Sequence, residues 1–475
     1  MSDTGLSSQP WFFCGIGGSG MLPLALILHG MGAAVAGSDR SRDQGRTPDK
    51  FAWLEGLGFA LFPQDGSGIT SADQVLVASA AVEDTVPEVV RAKALGCQRL
   101  SRAQLLARLF NAAPLSVAVG GTSGKSTVTG MIGWIMAEAG RDPTIMNGAV
   151  MKNFATPAAP FASARVGAGG SFVAEVDESD GSIALYRPGV AVLNNVSLDH
   201  KSLEELRELF GNFLAEADVG VVNLADEEAA ALAPRAKALI SFAIDHPDAD
   251  IAVIAGSITE TATTIGATLI DRRSGAAHAL HLAVPGRHNL ANALAALAAA
   301  DAAGVPLAQG VAALAGFAGL ARRFDIIGTS PAGITVIDDF GHNPDKVAAT
   351  LRTLRRHPGR VIAFFQPHGY GPLRQMGAEL AQVFARELAP GDEVLLCDPV
   401  YFGGTVDRSE GSARIVALIG AAAGAQGPAA RHIAQRADCA EAIAAMARPG
   451  DRIVVMGARD DTLTQMAQAL FLRLP

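Results

Sequence analysis

An apolar run, Leu115 to Val119, leads directly into Gly120-Gly121-Thr122-Ser123-Gly124-Lys125-Ser126-Thr127, and a segment of helical character, Val128 to Ala139, follows. Few local patterns restrict a fold more tightly. A buried strand must end in a glycine-rich turn, and the turn must open a helix. The backbone N–H groups of such a turn form a nest for phosphate at the positive end of the helix dipole. There Lys125 reaches the terminal phosphates of a nucleoside triphosphate and the Ser126 hydroxyl joins a Mg²⁺ shell. A strand-to-helix turn that binds nothing is the weaker reading, because strand, loop, Lys-Ser pair and helix all fall in order. The loop is one residue short. Val119 stands where the usual first glycine would be, so Gly120 takes that part.

The rest of the chain fits a soluble α/β protein. Its 475 residues suggest about three domains. Hydrophobic residues make up 49%, charged residues 18% and aromatics 5%, a balance expected for helices packed closely on sheets. A net charge of −9 without a basic block argues against nucleic acid or an anionic membrane as partner. Anionic ligands must then be held by local nests, metal and single Arg or Lys residues. Cys14, Cys97, Cys397 and Cys439 lie far apart and form no CxxC pair, which predicts no zinc site or disulfide framework and fits a reducing cytoplasm. The run Trp11–Val35 is broken by glycines, Pro23 and His29, so it predicts strand, turn and helix in place of a membrane span.

Three blocks follow from this pattern: residues 1–113, 114–320 and 321–475. The first begins with a strand Trp11–Cys14, the loop Gly15-Ile16-Gly17-Gly18-Ser19-Gly20, a helix from Met21 to about His29 and a strand Ala33–Gly37, then Ser38-Asp39. An acidic residue about twenty positions past a glycine loop is the plan of a nucleotide-binding βαβ unit. The second block adds buried runs at Ser171–Val176, Val190–Asn194 and Val219–Asn223, which predict a parallel sheet. Runs near Ile251–Ile254, Thr264–Ile270 and His278–Val284 predict a β-rich annex, and Asn289–Ala303 a long helix. The third block alternates strands at Ile334–Ile337, Arg360–Phe365, Glu393–Leu396 and Arg452–Met456 with helices.

Several polar clusters sit where such sheets bind ligands, beyond the carboxyl ends of strands. Glu175-Val176-Asp177-Glu178-Ser179-Asp180 offers carboxylates for Mg²⁺, or is simply an acidic solvated loop. His200, in Asn194-Asn195-Val196-Ser197-Leu198-Asp199-His200, has an imidazole nitrogen for a second ion, although a lone histidine near a turn is more often structural. Asn289 and Asn292 share a helical face and suit an adenine edge or a phosphate, or serve as ordinary caps. Arg322-Arg323-Phe324-Asp325 supplies a guanidinium for a transferring phosphoryl group. Asp338-Asp339-Phe340-Gly341-His342-Asn343-Pro344 places carboxylates at another strand end.

In this order the motifs resemble the ATP-dependent Mur ligases, which build the stem peptide of peptidoglycan, over nearly the whole chain. The resemblance implies three α/β domains: a Rossmann-like UDP-binding domain, a central P-loop domain with a parallel sheet, and a Rossmann-like amino-acid domain. It implies an ATP site of Gly121, Thr122, Ser123, Gly124, Lys125, Ser126, Thr127, Asn289, Asn292, Arg323 and Asp339, with Mg²⁺ on Ser126, Glu175 and His200. Lys125, Glu175, His200 and Arg323 would be catalytic. The first block is similar to the UDP-sugar domain of the alanine-adding branch, which implies UDP-N-acetylmuramate or a related UDP-sugar on Gly15, Gly17, Gly18, Ser19, Gly20, Met21, Ser38, Asp39 and Ser79.

The amino acid or short peptide would meet His342, His368, Tyr370 and Arg374. There the chain departs from that branch. Gln366-Pro367-His368 continues as Gly369-Tyr370-Gly371-Pro372-Leu373-Arg374, where arginines are usual, and Arg374 and Arg459 are the remaining candidates. Losing guanidiniums predicts an amine substrate other than L-alanine, or relaxed specificity. A ligase that attaches a preformed murein peptide in recycling, and a non-catalytic nucleotide-binding protein, are the competing readings.

Overall fold

The computed structural model describes residues 6, 8–79, 82–197, 201–400, 408, 410–424, 427–458 and 460–475. The chain forms two compact units, one comprising residues 1–260 and 264–319, the other residues 261–263 and 320–475. Among the described residues the larger unit carries two sheets and the smaller unit one.

The first sheet contains β1 (Trp11–Cys14), β2 (Val35–Ser38), β3 (Ala60–Phe62), β4 (Val75–Ala78) and β5 (Arg99–Ser101), all parallel, in the order β3-β2-β1-β4-β5. β1 is buried along its whole length, as a strand covered on both faces must be. The helix Met21–Gly30 returns the chain from β1 to β2. β2 begins at Val35, two residues later than its apolar run suggests. Gly32 in the left-handed region (φ +88°) and the Ala33 amide on Leu28 O use those residues to close the helix.

The central sheet contains β6 (Leu115–Gly120), β7 (Thr144–Met146), β8 (Ala164–Arg165), β9 (Ser171–Glu175), β10 (Val190–Leu193), β11 (Val219–Asn223), β12 (Leu239–Ala243), β13 (Ile251–Val253), β14 (Thr259–Glu260), β15 (Ile265–Asp271) and β16 (Ala276–Leu282). Its path runs β14-β15-β13-β12-β11-β10-β6-β9-β7-β8, with β16 paired to β15. The expected β-rich annex is therefore an extension of this sheet, reached where β12 and β13 pair in parallel and β13 and β15 antiparallel. β6 lies between β10 and β9, so its carboxyl end opens between two other strand ends. The helix Lys125–Glu138 that leaves it packs against the alanine-rich helix Arg287–Ala302, whose small side chains permit close approach.

The smaller unit holds β17 (Asp325–Thr329), β18 (Thr335–Asp339), β19 (Val361–Gln366), β20 (Glu393–Leu396), β21 (Ala429–His432) and β22 (Arg452–Gly457), in the order β17-β18-β22-β19-β20-β21. Only the β17–β18 pair is antiparallel. Apolar clusters cover both faces of this sheet. Among the described residues no helix is long and apolar enough to cross a membrane.

Candidate functional site

The helix that carries Lys125 starts at Lys125 itself, three residues earlier than its apolar pattern suggests, because Gly124 turns into the left-handed region (φ +86°) just before it. Gly124 is required for space as well. A Cβ there would stand 2.5 Å from Asn292 Oδ1 and 2.6 Å from Asn194 Nδ2. Those two amides meet behind the loop: Asn194 Nδ2 donates to Asn292 Oδ1 (3.0 Å) and to Ser123 O (3.2 Å). Asn289 Nδ2 donates to Pro285 O (2.7 Å), and both helix asparagines are buried. Asn195 completes the support by accepting from Ser123 N at Oδ1 (2.8 Å) and from Thr122 N at its carbonyl (3.1 Å). The loop is thus held from the end of β10. Residue type alone does not assign this part to Asn194 and Asn195; the signal for it in the sequence is two amides directly after a buried strand.

Lys125 and Ser126 each meet a carboxylate. Lys125 Nζ donates to Glu178 Oε2 (2.7 Å) and to Gly121 O (2.8 Å), and Ser126 Oγ donates to Glu175 Oε2 (2.7 Å). Burial opposes ionisation of Asp177, but the Lys125 ammonium and hydrogen bonding from Ser179 hold its carboxyl below the usual range. Gly148 leaves room at this point: a Cβ on it would fall 2.2 Å from Glu175 Oε1. Among the described residues no group of three or more His, Cys, Asp or Glu side chains gathers to hold an ion. Mg²⁺ does not need one, since it takes one or two carboxylates and fills its octahedron with water and phosphate oxygens. Ser126 and Glu175 fit that requirement. His200 lies outside the described residues, as does Arg459.

In the first sheet, the loop after β1 is tied down by Asp39. Its Oδ2 accepts from Gly17 N (2.8 Å) and its Oδ1 from Ser41 N (2.8 Å). Gly15 is left-handed (φ +79°) and gives its amide to Ser38 O (2.8 Å), while Gly18 N donates to Gly15 O (3.1 Å). Ser19 and Gly18 are exposed at the mouth, Met21 is buried beneath it, and Ser38 and Ser79 stand at the ends of β2 and β4.

The smaller unit gathers Arg323, His342 and His368. Arg322 and Phe324 are non-glycine residues in the left-handed region (φ 61° and 50°), a strained turn that presents Arg323 between them. The Arg323 guanidinium lies 4.8 Å from the Phe340 ring centre, with Arg322 at 5.2 Å. His342 Nδ1 bonds Phe340 O (2.9 Å), and its ring meets that of His368 edge-on at 5.1 Å. Burial pushes the His342 imidazole down to about 3, helped by the charge of Lys346. Asp339 is buried and turned to internal use, accepting from Phe324 N (2.8 Å), Gly341 N (2.8 Å) and Thr350 Oγ1 (3.0 Å). Burial pushes Asp338 up to about 6 against the pull of Arg322. Tyr370 opens the helix Tyr370–Glu387, and Arg374 is exposed at the start of its second turn.

Three family models match successive stretches: Mur ligase family, catalytic domain, over residues 12–113; Mur ligase middle domain over 119–300; and Mur ligase, glutamate ligase domain, over 322–459. The chain is 34% identical to a UDP-N-acetylmuramate–L-alanine ligase of Agrobacterium fabrum, covering 96% of this chain and 95% of that protein. It is 36% identical to one of Clavibacter sepedonicus, covering 94% and 90%. Its fold matches the solved UDP-N-acetylmuramate–alanine ligase of Thermotoga maritima with a TM-score of 0.80 at 24% identity, covering 98% and 99%. It also matches a murein peptide ligase of Psychrobacter arcticus at 0.72 and 24%, covering 98% of each chain. With its phosphate loop, its acidic strand end and these matches along nearly all its length, the chain belongs to the Mur ligase family of ATP-dependent ligases.

Proposed function

We propose that this chain joins an amino acid to the carboxylate of UDP-N-acetylmuramate in the cytoplasm, at the cost of one ATP. The observation that carries this reading is the pairing of Lys125 with Glu178 and of Ser126 with Glu175 at the mouth of a phosphate nest. The curated relatives named UDP-N-acetylmuramate–L-alanine ligase support the acceptor, and the free cysteines support the compartment. An oxygen of the acceptor carboxylate attacks the γ-phosphorus of ATP and the bond to the β-phosphate oxygen breaks, giving ADP and an acyl phosphate. The amine nitrogen then adds to the acyl carbon, loses a proton, and inorganic phosphate departs as the amide forms.

Lys125 leaves Glu178 to meet the γ-phosphoryl oxygens, and the nest N–H groups hold the β-phosphate. Positioning and charge neutralisation are the main catalytic terms in phosphoryl transfer. Ser126 and Glu175 would hold Mg²⁺, which supplies further neutralisation when bound. In the smaller unit, the Arg323 guanidinium is the group suited to transferring charge. His342, uncharged across the physiological range, and His368 are suited to the amine substrate.

Acceptor carboxylate labelled with ¹⁸O tests the reaction. One labelled oxygen must appear in the released phosphate; unlabelled phosphate would overturn the acyl-phosphate route. The amine pocket is read as broader than L-alanine alone, because Gly369 (φ +143°) and Pro372 occupy the entry to the helix Tyr370–Glu387. kcat/KM for glycine, L-serine and a murein tripeptide should fall within about tenfold of L-alanine, whereas a pocket fitted to one methyl group rejects neighbours by more.

A further inference from the structure

Two cations border the nest after β1, and neither belongs to its glycine motif. Lys50, on the helix Pro48–Gly56, donates from Nζ to Gly17 O at 3.3 Å. Arg102 is the first residue of the helix Arg102–Asn111, whose start is fixed by a capping box between Ser101 and Gln104. Its side chain crosses Gly20: a Cβ on that glycine would stand 2.9 Å from Arg102 Cδ and 3.4 Å from Nε and Nη1. The glycine therefore leaves the guanidinium its place beside the nest. From the same position its charge is felt at Asp177 and Tyr186, beyond the end of β9.

Several other partly buried arginines of this chain are matched by carboxylates, among them Arg165 with Asp142, Arg273 with Asp271 and Arg360 with Asp451. Among the described residues the Arg102 guanidinium makes no hydrogen bond and no ion pair within reach of its N–H groups, and the Asp177 carboxylate feels its charge only from farther off. A partly buried guanidinium left unpaired in a protein of net charge −9 is an unfavourable arrangement unless a ligand anion completes it. The fork geometry of that group matches the paired oxygens of a phosphate. We propose that Arg102 is a diphosphate-recognition residue, taking non-bridging oxygens of the nucleotide-sugar diphosphate while the Gly15–Gly20 backbone holds the other side. The assignment rests on the UDP-sugar reading of the first domain.

Calorimetry on the full chain with UDP, UMP and UDP-N-acetylmuramate tests it, using R102M, which keeps the apolar stem, and R102K. R102M should bind UDP and the UDP-sugar roughly 10- to 100-fold more weakly, the loss expected for a charge-assisted pair. UMP should change much less, R102K should recover part of the loss, and KM for ATP should stay as in the wild type. UDP binding by R102M equal to wild type would overturn the proposal. So would equal losses for UDP and UMP with a lowered Tm, which would make Arg102 a packing residue over Gly20. A wild-type protein that binds neither UDP nor UDP-N-acetylmuramate would overturn the reading of the domain itself.

Discussion

The end of β6 in the larger unit and the end of β18 in the smaller one look alike in sequence. Each is a buried strand that runs into charged and small residues at a helix start. They use their charges differently. After β6, Lys125 and Ser126 bond to carboxylates that lie at the same mouth, so the charged groups are paired but still face the nest. After β18, Asp339 gives its lone pairs to Phe324 N, Gly341 N and Thr350 Oγ1, and Arg322 reaches Gly457 O (2.6 Å) and Asp460 O (3.0 Å). Those charges hold a turn in shape, and the turn presents Arg323 and His342. On the proposed reading the first strand end would carry the chemistry and the second would scaffold it, a difference drawn from hydrogen-bond partners where residue type is alike.

That contrast can be broken by substitution. Lys125→Ala should give the largest effect, lowering kcat by about 10²–10³-fold or more, the loss expected when a donor to developing charge is removed. Near-normal turnover at saturating ATP would remove the distinction between the two strand ends. Asp338 and His342 should pull the pH response of the smaller unit in opposite directions, since the lowered His342 imidazole favours the fold as pH rises while the raised Asp338 carboxyl favours it as pH falls. The Asp338 carboxyl is raised from 3.8 to about 6, so its contribution to stability is full below about pH 4 and is lost as pH rises through about 6. A shift of that size corresponds to roughly 3 kcal/mol. Chemical denaturation of Asp338→Asn from pH 4 to 7 should show this fall removed; an unaltered slope would mean that Asp338 does not cause it.

Glu175→Gln should raise the Mg²⁺ concentration for half-maximal activity by roughly 10- to 100-fold. An unchanged titration would return Glu175 to the role of a loop anchor. Asp339→Asn is its counterpart in the smaller unit and should act mainly on stability, by about 1–2 kcal/mol, with little change in the Mg²⁺ requirement. A large Mg²⁺ effect and no loss of stability would reverse the comparison.

The glycine-rich loop after β6 was legible because its parts are local. Nest, lysine and hydroxyl are contiguous, and glycine at 121 and 124 reports backbone that other residues rarely adopt. The large parallel strands were legible for the same reason, as continuous apolar runs such as Val190–Leu193 and residues 361–365. The short edge strands β3 and β5 were not, since each has three residues and only Leu100 is buried among them. Contacts between distant segments also escaped the sequence. Asn194 meeting Asn292, Glu178 meeting Lys125 and Arg102 lying over Gly20 need the fold before they exist. The strained turn at Arg322 and Phe324 left no signal at all, because neither residue is a type that favours a left-handed backbone.

The central claim is coupled turnover of ATP with an acceptor and an amine, and stoichiometry measures it most directly. ADP release should be followed with UDP-N-acetylmuramate and an amino acid present together and each omitted in turn, with the product weighed by mass spectrometry. The expected result is one ADP per amide formed, only with both substrates present, and a product heavier than UDP-N-acetylmuramate by one amino-acid residue. ATP turnover that ignores UDP-N-acetylmuramate, or that yields no amide with any amine, would contradict it.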